Sequence, residues 1–147
     1  MSLTYRAATP ADFEQIIALI IEFSVFEKTP EKMKNSVERM QAEQDFFNCI
    51  IVENEAGTIV AYVAYFYCYF TWSGKSLFMD DLYVTPAYRG KGIGGQLIER
   101  LIELARSKGC HRLHWQVSEW NAKAITFYEK LGAKIEHTEK NCDLYLD

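Results

Sequence analysis

The chain has 147 residues, 49% hydrophobic and 24% charged, the composition of a folded domain rather than a disordered or fibrous chain. Its net charge of −4 at pH 7 speaks against nucleic-acid binding. No apolar run approaches the roughly 18 residues of a membrane span, and the N-terminus lacks the charged start and small-residue cleavage site of a secretory signal.

Along the chain, Leu3 to Ala8 reads as a short strand. Thr9-Pro10-Ala11-Asp12 is a helix start, with Thr as N-cap, Pro at the first helical position and an acid at the third. The helix that follows sets Phe13, Ile16, Ile17, Ile20 and Ile21 on one stripe. Thr29-Pro30-Glu31 repeats the start signal and predicts a second helix from Pro30 to about Gln44, with a thin apolar face of Met33, Val37 and Met40. Phe46 to Glu53 and Thr58 to Phe70 flank the turn-like Asn54-Glu55-Ala56-Gly57 and read as a hairpin. Trp72-Ser73-Gly74-Lys75 interrupts, and Ser76 to Thr85 is another strand.

A helix from about Gly92 to Ser107 turns Ile93, Leu97, Ile98, Leu101, Leu104 and Ala105 inward, with Gly109 as its C-terminal cap. His111 to Ser118 is a strand, Asn121 to Leu131 a short helix stopped by Gly132, and Leu144 to Leu146 a last strand, with a further one near Ile135. The order β-α-α-β-β-β-α-β-α-β predicts an α/β fold, one sheet flanked by helices, in a single domain over 1–147. Cys49, Cys68, Cys110 and Cys142 form no C-x-x-C pair, so no metal site is expected, and free thiols fit a reducing cytoplasm.

Tyr88-Arg89-Gly90-Lys91-Gly92-Ile93-Gly94-Gly95 carries the strongest chemical signal. Glycines let several backbone N–H groups point into one concavity while no Cβ blocks a phosphate. The helix N-terminus adds unsatisfied N–H groups and roughly half a positive charge, and Arg89 and Lys91 add full charges. A pyrophosphate fits this loop. Gly90, Gly92 and Gly95 also satisfy the dinucleotide G-x-G-x-x-G pattern, with Glu119 as a ribose acid. Against that reading, Pro86-Ala87-Tyr88-Arg89 separates strand from glycine, and only one β-α-β unit is present.

Arg89-Gly90-Lys91-Gly92-Ile93-Gly94 resembles the R/Q-x-x-G-x-G/A loop of the GNAT superfamily of N-acetyltransferases. Met79-Asp80-Asp81-Leu82-Tyr83-Val84 resembles the strand preceding that loop, and Trp120 through Tyr128 resembles the motif following it. Within the superfamily the chain is most similar to the diamine (spermidine/spermine) and thialysine acetyltransferases, through Phe26-Glu27, Tyr65-Phe66, Trp72 to Lys75 and Glu119-Trp120-Asn121. Two departures fall where those enzymes bind polyamine: Phe70 stands in place of an acid, and so does Lys140.

The resemblance implies acetyl-CoA as cofactor, with its pyrophosphate on Arg89, Gly90, Lys91, Gly92, Ile93, Gly94 and Gly95. Leu82, Tyr83 and Val84 would offer backbone groups to the pantetheine arm, and an N–H there would polarise the thioester carbonyl. Asn121, Lys123 and Ala124 would hold the cofactor from the other side, Asn121 doubling as a helix N-cap. Tyr128 is implied as the acid that protonates the leaving thiolate, a phenol near pKa 10 facing a thiol near 8.5. By spacing alone Tyr128 falls with Ala124, Ile125 and Leu131 and reads as a core tyrosine.

The amine must arrive neutral, and Glu27, Asp80 and Asp81 are the acids that would attract it and take its proton, beside Phe26. In a regular strand Asp80 and Asp81 face opposite ways, and the resemblance favours Asp80 as the contact. His111 and His114 read as structural or surface residues. The expected partner is a small-molecule amine: a short diamine, a polyamine or a lysine-like amino acid. A homodimer is implied by the resemblance, whereas a membrane or nucleic acid is not expected. Acetylation of a protein or peptide amine, and a non-catalytic acyl-CoA-binding module, are the competing readings.

Overall fold

A computed structural model, describing residues 2–147, places every strand expected between Leu3 and Ser118 in one five-stranded sheet. Strands β1 (Thr4–Ala7), β2 (Asn48–Glu53), β3 (Ile59–Phe70) and β4 (Gly74–Val84) are antiparallel neighbours in chain order. Strand β5 (Arg112–Trp115) joins β4 in parallel. The expected α/β fold is therefore what forms, its sheet mixed and mostly antiparallel. The chain separates into two compact units, Met1–Gln116 and Val117–Asp147, with the whole sheet in the first.

Helix α1 (Phe13–Phe26) buries Phe13, Ile16, Ile17 and Leu19. Ile21, expected inward, is exposed, and Leu19 is buried in its stead. The stripe packs with Cys49, Ile51, Tyr62, Ala64 and Tyr83 into one core. Helix α3 (Ile93–Ser107) buries Ile93, Leu97, Ile98, Leu101 and Ala105, as its spacing predicts, while Leu104 is only half-buried. Neighbouring residues of β4 address the two helices. A Cβ on Gly94 of α3 would lie 4.0 Å from Leu82, whereas the Tyr83 ring stacks on Phe23 of α1 at 5.0 Å.

The helix-start signal at Thr9 is real, but its first turn is 3-10, Pro10–Asp12. Arg6 grips the buried Asp12 carboxylate through two N–H groups at 2.8 Å each and reaches Glu53 with its Nε at 2.9 Å. The Arg6 hydrogen bonds hold the Asp12 carboxyl down at about 2. This ion cluster ties β1, the start of α1 and β2 together. At its other end α1 stops in a Schellman arrangement, with Thr29 N–H donating to Ser24 and Lys28 N–H to Val25, both at 3.0 Å. Lys28 occupies the left-handed position at φ 65° where glycine is usual.

The helix predicted from Pro30 to Gln44 does not form as one element. A 3-10 turn, Pro30–Lys32, gives way to extended backbone at Met33, and helix α2 covers only Val37–Ala42 before another 3-10 turn, Gln44–Phe46. The cause is local. Asn35 accepts from the Ser36 N–H at 2.8 Å and the Ser36 hydroxyl accepts from the Arg39 N–H at 3.1 Å, so these side chains compete with a continuous helix and restart it.

The second unit contains α4 (Ala122–Lys130), capped by the Asn121 side chain accepting from Ala124 N–H at 3.2 Å. Gly132, at φ 92°, ends it as predicted. The strands expected at Leu144–Leu146 and near Ile135 are absent: residues 133–147 join no ladder, and Leu144, Tyr145 and Leu146 are exposed. A three-residue apolar run becomes a strand only where another strand offers it hydrogen bonds.

Candidate functional site

The glycine loop lies where the sequence places it, after β4 and the 3-10 turn Pro86–Tyr88, leading straight into α3. Gly90 and Gly92 take φ of 76° and 81°, and a Cβ at either would meet nothing within 4 Å. Gly92 is the N-cap of α3, so the N–H groups of Ile93, Gly94 and Gly95 belong to the first turn and have no carbonyl one turn earlier to bond. Lys91 is exposed beside them. An open glycine cradle, a helix N-terminus and a free cation suit a pyrophosphate.

The adjoining strand is not regular. Ala64 of β3 pairs with Asp81, but Tyr65 pairs with Met79, leaving Asp80 as the extra residue of a β-bulge. The β4–β5 ladder also ends here, its last pair being Met79 with Trp115. Beyond it, among the described residues, no strand pairs with the β5-side edge of β4 along Leu82, Tyr83 and Val84. The bulge cancels the strict alternation expected for Asp80 and Asp81. Both carboxylates now act on the buried Tyr62, whose hydroxyl donates to Asp81 Oδ2 at 3.0 Å.

Electrostatics separate the two acids. Burial raises Asp81 first, the neighbouring charges of Asp80 and Glu27 raise it further, and the Tyr62 hydrogen bond offsets part of this, leaving it at about 6. Asp80 is more exposed at the surface, yet the surrounding protein still raises it through desolvation. Because the folded pKa of Asp81 exceeds its unfolded value, the carboxyl favours folding most below about pH 4, and this contribution is lost as pH rises through about 6. At neutral pH its charge is therefore a cost, on the order of 3 kcal/mol at most. Asp81→Asn should unfold several degrees higher than the parent at pH 7, with the gain closing toward pH 4. Melting curves across that range check it, and equal melting at pH 7 would contradict the assignment.

Tyr83 meets Phe26 near the end of α1, their ring centroids 6.4 Å apart. The Tyr83 hydroxyl donates to Glu22, and burial together with that bond pushes the phenol up to about 12. Arg89, expected on the pyrophosphate, places its guanidinium 4.7 Å from the Phe26 ring and 5.4 Å from that of Tyr83, while its Nε donates to the Val84 carbonyl at 2.8 Å. It thereby ties the loop to α1. No local sequence signal marks Tyr62 or Glu22. Tyr62 sits among apolar strand residues, and only the cross-strand register shows that it meets an acid.

In the second unit, Asn121 and Ala124 form the cap of α4, Lys123 is exposed on its first turn, and Tyr128 is buried with only 9% of its surface accessible. The Phe127 and Tyr128 rings lie 5.5 Å apart. Among the described residues no cluster of three metal-ligating side chains occurs.

The sequence profile of the Acetyltransferase (GNAT) family matches residues 13–133. Thialysine N-epsilon-acetyltransferase of Mus musculus is 35% identical over 144 residues, covering 90% of this chain and 85% of the relative. Spermidine/spermine N(1)-acetyltransferase-like protein 1 of Homo sapiens is 30% identical over 150 residues, 95% of this chain and 22% of that longer protein. Among solved structures, an acetyltransferase of Trypanosoma brucei superposes with a TM-score of 0.78 at 27% identity, covering 97% of this chain and 100% of its own. With the loop, strand and helix motifs in their expected elements, the chain belongs to the GNAT family of acetyltransferases.

Proposed function

We propose that the protein transfers an acetyl group from acetyl-CoA to the primary amine of a small molecule, a short diamine or lysine-like amino acid ahead of an extended polyamine. The bulge at Asp80 carries this reading. It gathers acids at the point where β4 and β5 stop pairing, beside the edge offered to the cofactor. The names of the mouse and human relatives support a small amine as acceptor.

Bound acetyl-CoA supplies the acetyl thioester and a thiol leaving group. The loop from Arg89 to Gly95 holds the pyrophosphate through first-turn N–H groups and the charge of Lys91, with Arg89 joining it from its seat over Phe26. Leu82, Tyr83 and Val84 present to the pantetheine arm the edge of β4 that no described strand pairs. By the family resemblance, Asn121, Lys123 and Ala124 of α4 would also bind the cofactor. Asp80, at the surface, receives the substrate ammonium. Asp81 takes its proton, because a half-buried carboxyl near 6 is ionised at neutral pH and is a stronger base than an ordinary carboxylate. Glu27 adds to the field that draws the cation, Phe26 flanks it, and Tyr128, in the role the family resemblance gives it, would supply a proton to the departing thiol.

The same reading places the enzyme in the cytoplasm, in keeping with four free thiols, and makes it a homodimer. No helix among the described residues is long and apolar enough to cross a membrane.

A thiol-release assay with acetyl-CoA against diamines, polyamines, lysine, thialysine and peptides tests the proposal. Turnover should be highest on a short amine, with spermine lower in kcat/KM. A clear spermine preference overturns the short-acceptor reading. Binding of CoA without turnover on any amine would favour a non-catalytic module.

A further inference from the structure

One face of the sheet carries a graded surface away from the acids. Tyr62, Ala64, Phe66, Cys68 and Phe70 alternate on β3 and share this face with their β4 partners, among them Tyr83, Asp81 and Phe78. Beyond the acid row, Phe66 and Phe78 stack at 4.8 Å, the His114 ring lies 5.1 Å from Phe78, and Phe70 lies 5.5 Å from His114. The Arg112 guanidinium closes the row, 4.4 Å above the Phe70 ring. Arg112 is exposed, and among the described residues no carboxylate is paired with it. A guanidinium stacked on a ring has its flat face covered and its in-plane N–H fork free for a carboxylate.

We propose that Arg112, seated on Phe70, binds the α-carboxylate of an amino-acid acceptor whose side-chain amine reaches Asp80 and Asp81. This rests on the amine-acetylation reading and names the acceptor's second anchor. The register supplies the length. The Asp81 row (Ala64) and the Arg112 row (Cys68) are four residues apart on β3, about 13 Å at about 3.3 Å per residue. Taking about 3 Å for a hydrogen bond at each end leaves roughly 7 Å. A lysine-like chain, six bonds of about 1.5 Å in zigzag from amine nitrogen to carboxylate carbon, spans roughly 7–8 Å. Its methylenes would lie along Phe78 and His114. Phe70, standing where similar enzymes carry an acid, acquires a purpose: it supports a cation in place of a negative charge.

L-lysine and 1,5-diaminopentane, which differ only by the carboxylate, are the decisive pair. Steady-state thiol release should show that Arg112→Ala raises KM for L-lysine by about 10- to 100-fold, the scale of a lost charge-assisted hydrogen bond. KM for the diamine should stay within about twofold. Arg112→Lys, which retains the charge but loses the fork, should recover part of the loss. Because Arg112 is exposed, melting curves of the variants should overlay the parent. An unchanged lysine-to-diamine ratio of kcat/KM in Arg112→Ala, or a parent enzyme that acetylates the diamine and not lysine, overturns this anchor while leaving amine acetylation intact. No thiol release with any amine overturns both.

Discussion

Tyr128→Phe should lower turnover by about 10²-fold or more, the scale of general acid–base assistance, while leaving CoA affinity nearly unchanged. The substitution removes one oxygen and preserves the ring, which matters because Tyr128 is buried next to Phe127. Calorimetric CoA binding and a melting curve separate the two possible roles. A variant that melts and binds like the parent but turns over slowly supports the acid. Unchanged turnover, with chemistry established as rate-limiting, removes Tyr128 from the mechanism, and a collapse in melting temperature assigns it to packing.

Gly92→Asp should weaken CoA and acetyl-CoA binding by at least about 10²-fold, since charge-assisted hydrogen bonds are individually worth about 1.5–3 kcal/mol and several converge on a pyrophosphate. Gly92 caps α3 at φ 81°, and a side chain there points into open space. The variant should therefore fold, with backbone strain of about 1–2 kcal/mol. The new carboxylate, however, sits on the first-turn N–H groups and satisfies the helix dipole that the pyrophosphate would use. Gly92→Ala carries the strain without the charge and should lose far less affinity. Titration calorimetry decides it: a folded Gly92→Asp that binds as tightly as the parent would refute the loop assignment. Tight NAD binding without CoA binding would instead revive the dinucleotide reading.

Much of the candidate site is legible in the sequence because its signals are local. A phosphate loop needs glycines, a cation and a helix start within a few residues, and Arg89 to Gly95 contains all of them. Asn121 caps α4 within its own turn, and Gly132 ends that helix in the left-handed conformation that glycine tolerates. The failures were also local in origin. The helix start at Thr29 does not carry through Asn35 and Ser36, whose side chains bond the backbone and interrupt the helix. The apolar run Leu144 to Leu146 does not become a strand because, among the described residues, no strand pairs with it.

The sequence by itself determined the family, the order of the elements as far as α4 and the make-up of the glycine loop, because periodicity and short motifs depend on neighbours in the chain. Tertiary structure alone decided how the acids are presented. Whether Asp80 and Asp81 face apart or act together depends on one extra residue in the register between β3 and β4, and register is set by pairing across strands. It likewise decided that Tyr62, nineteen residues from Asp81, hydrogen-bonds that acid, and that Arg89 turns back onto Phe26. The row from Phe78 to Arg112 has the same origin, since β5 reaches β4 only after α3 carries the chain across the sheet. Contacts of this kind join residues far apart in sequence, and no local pattern encodes them.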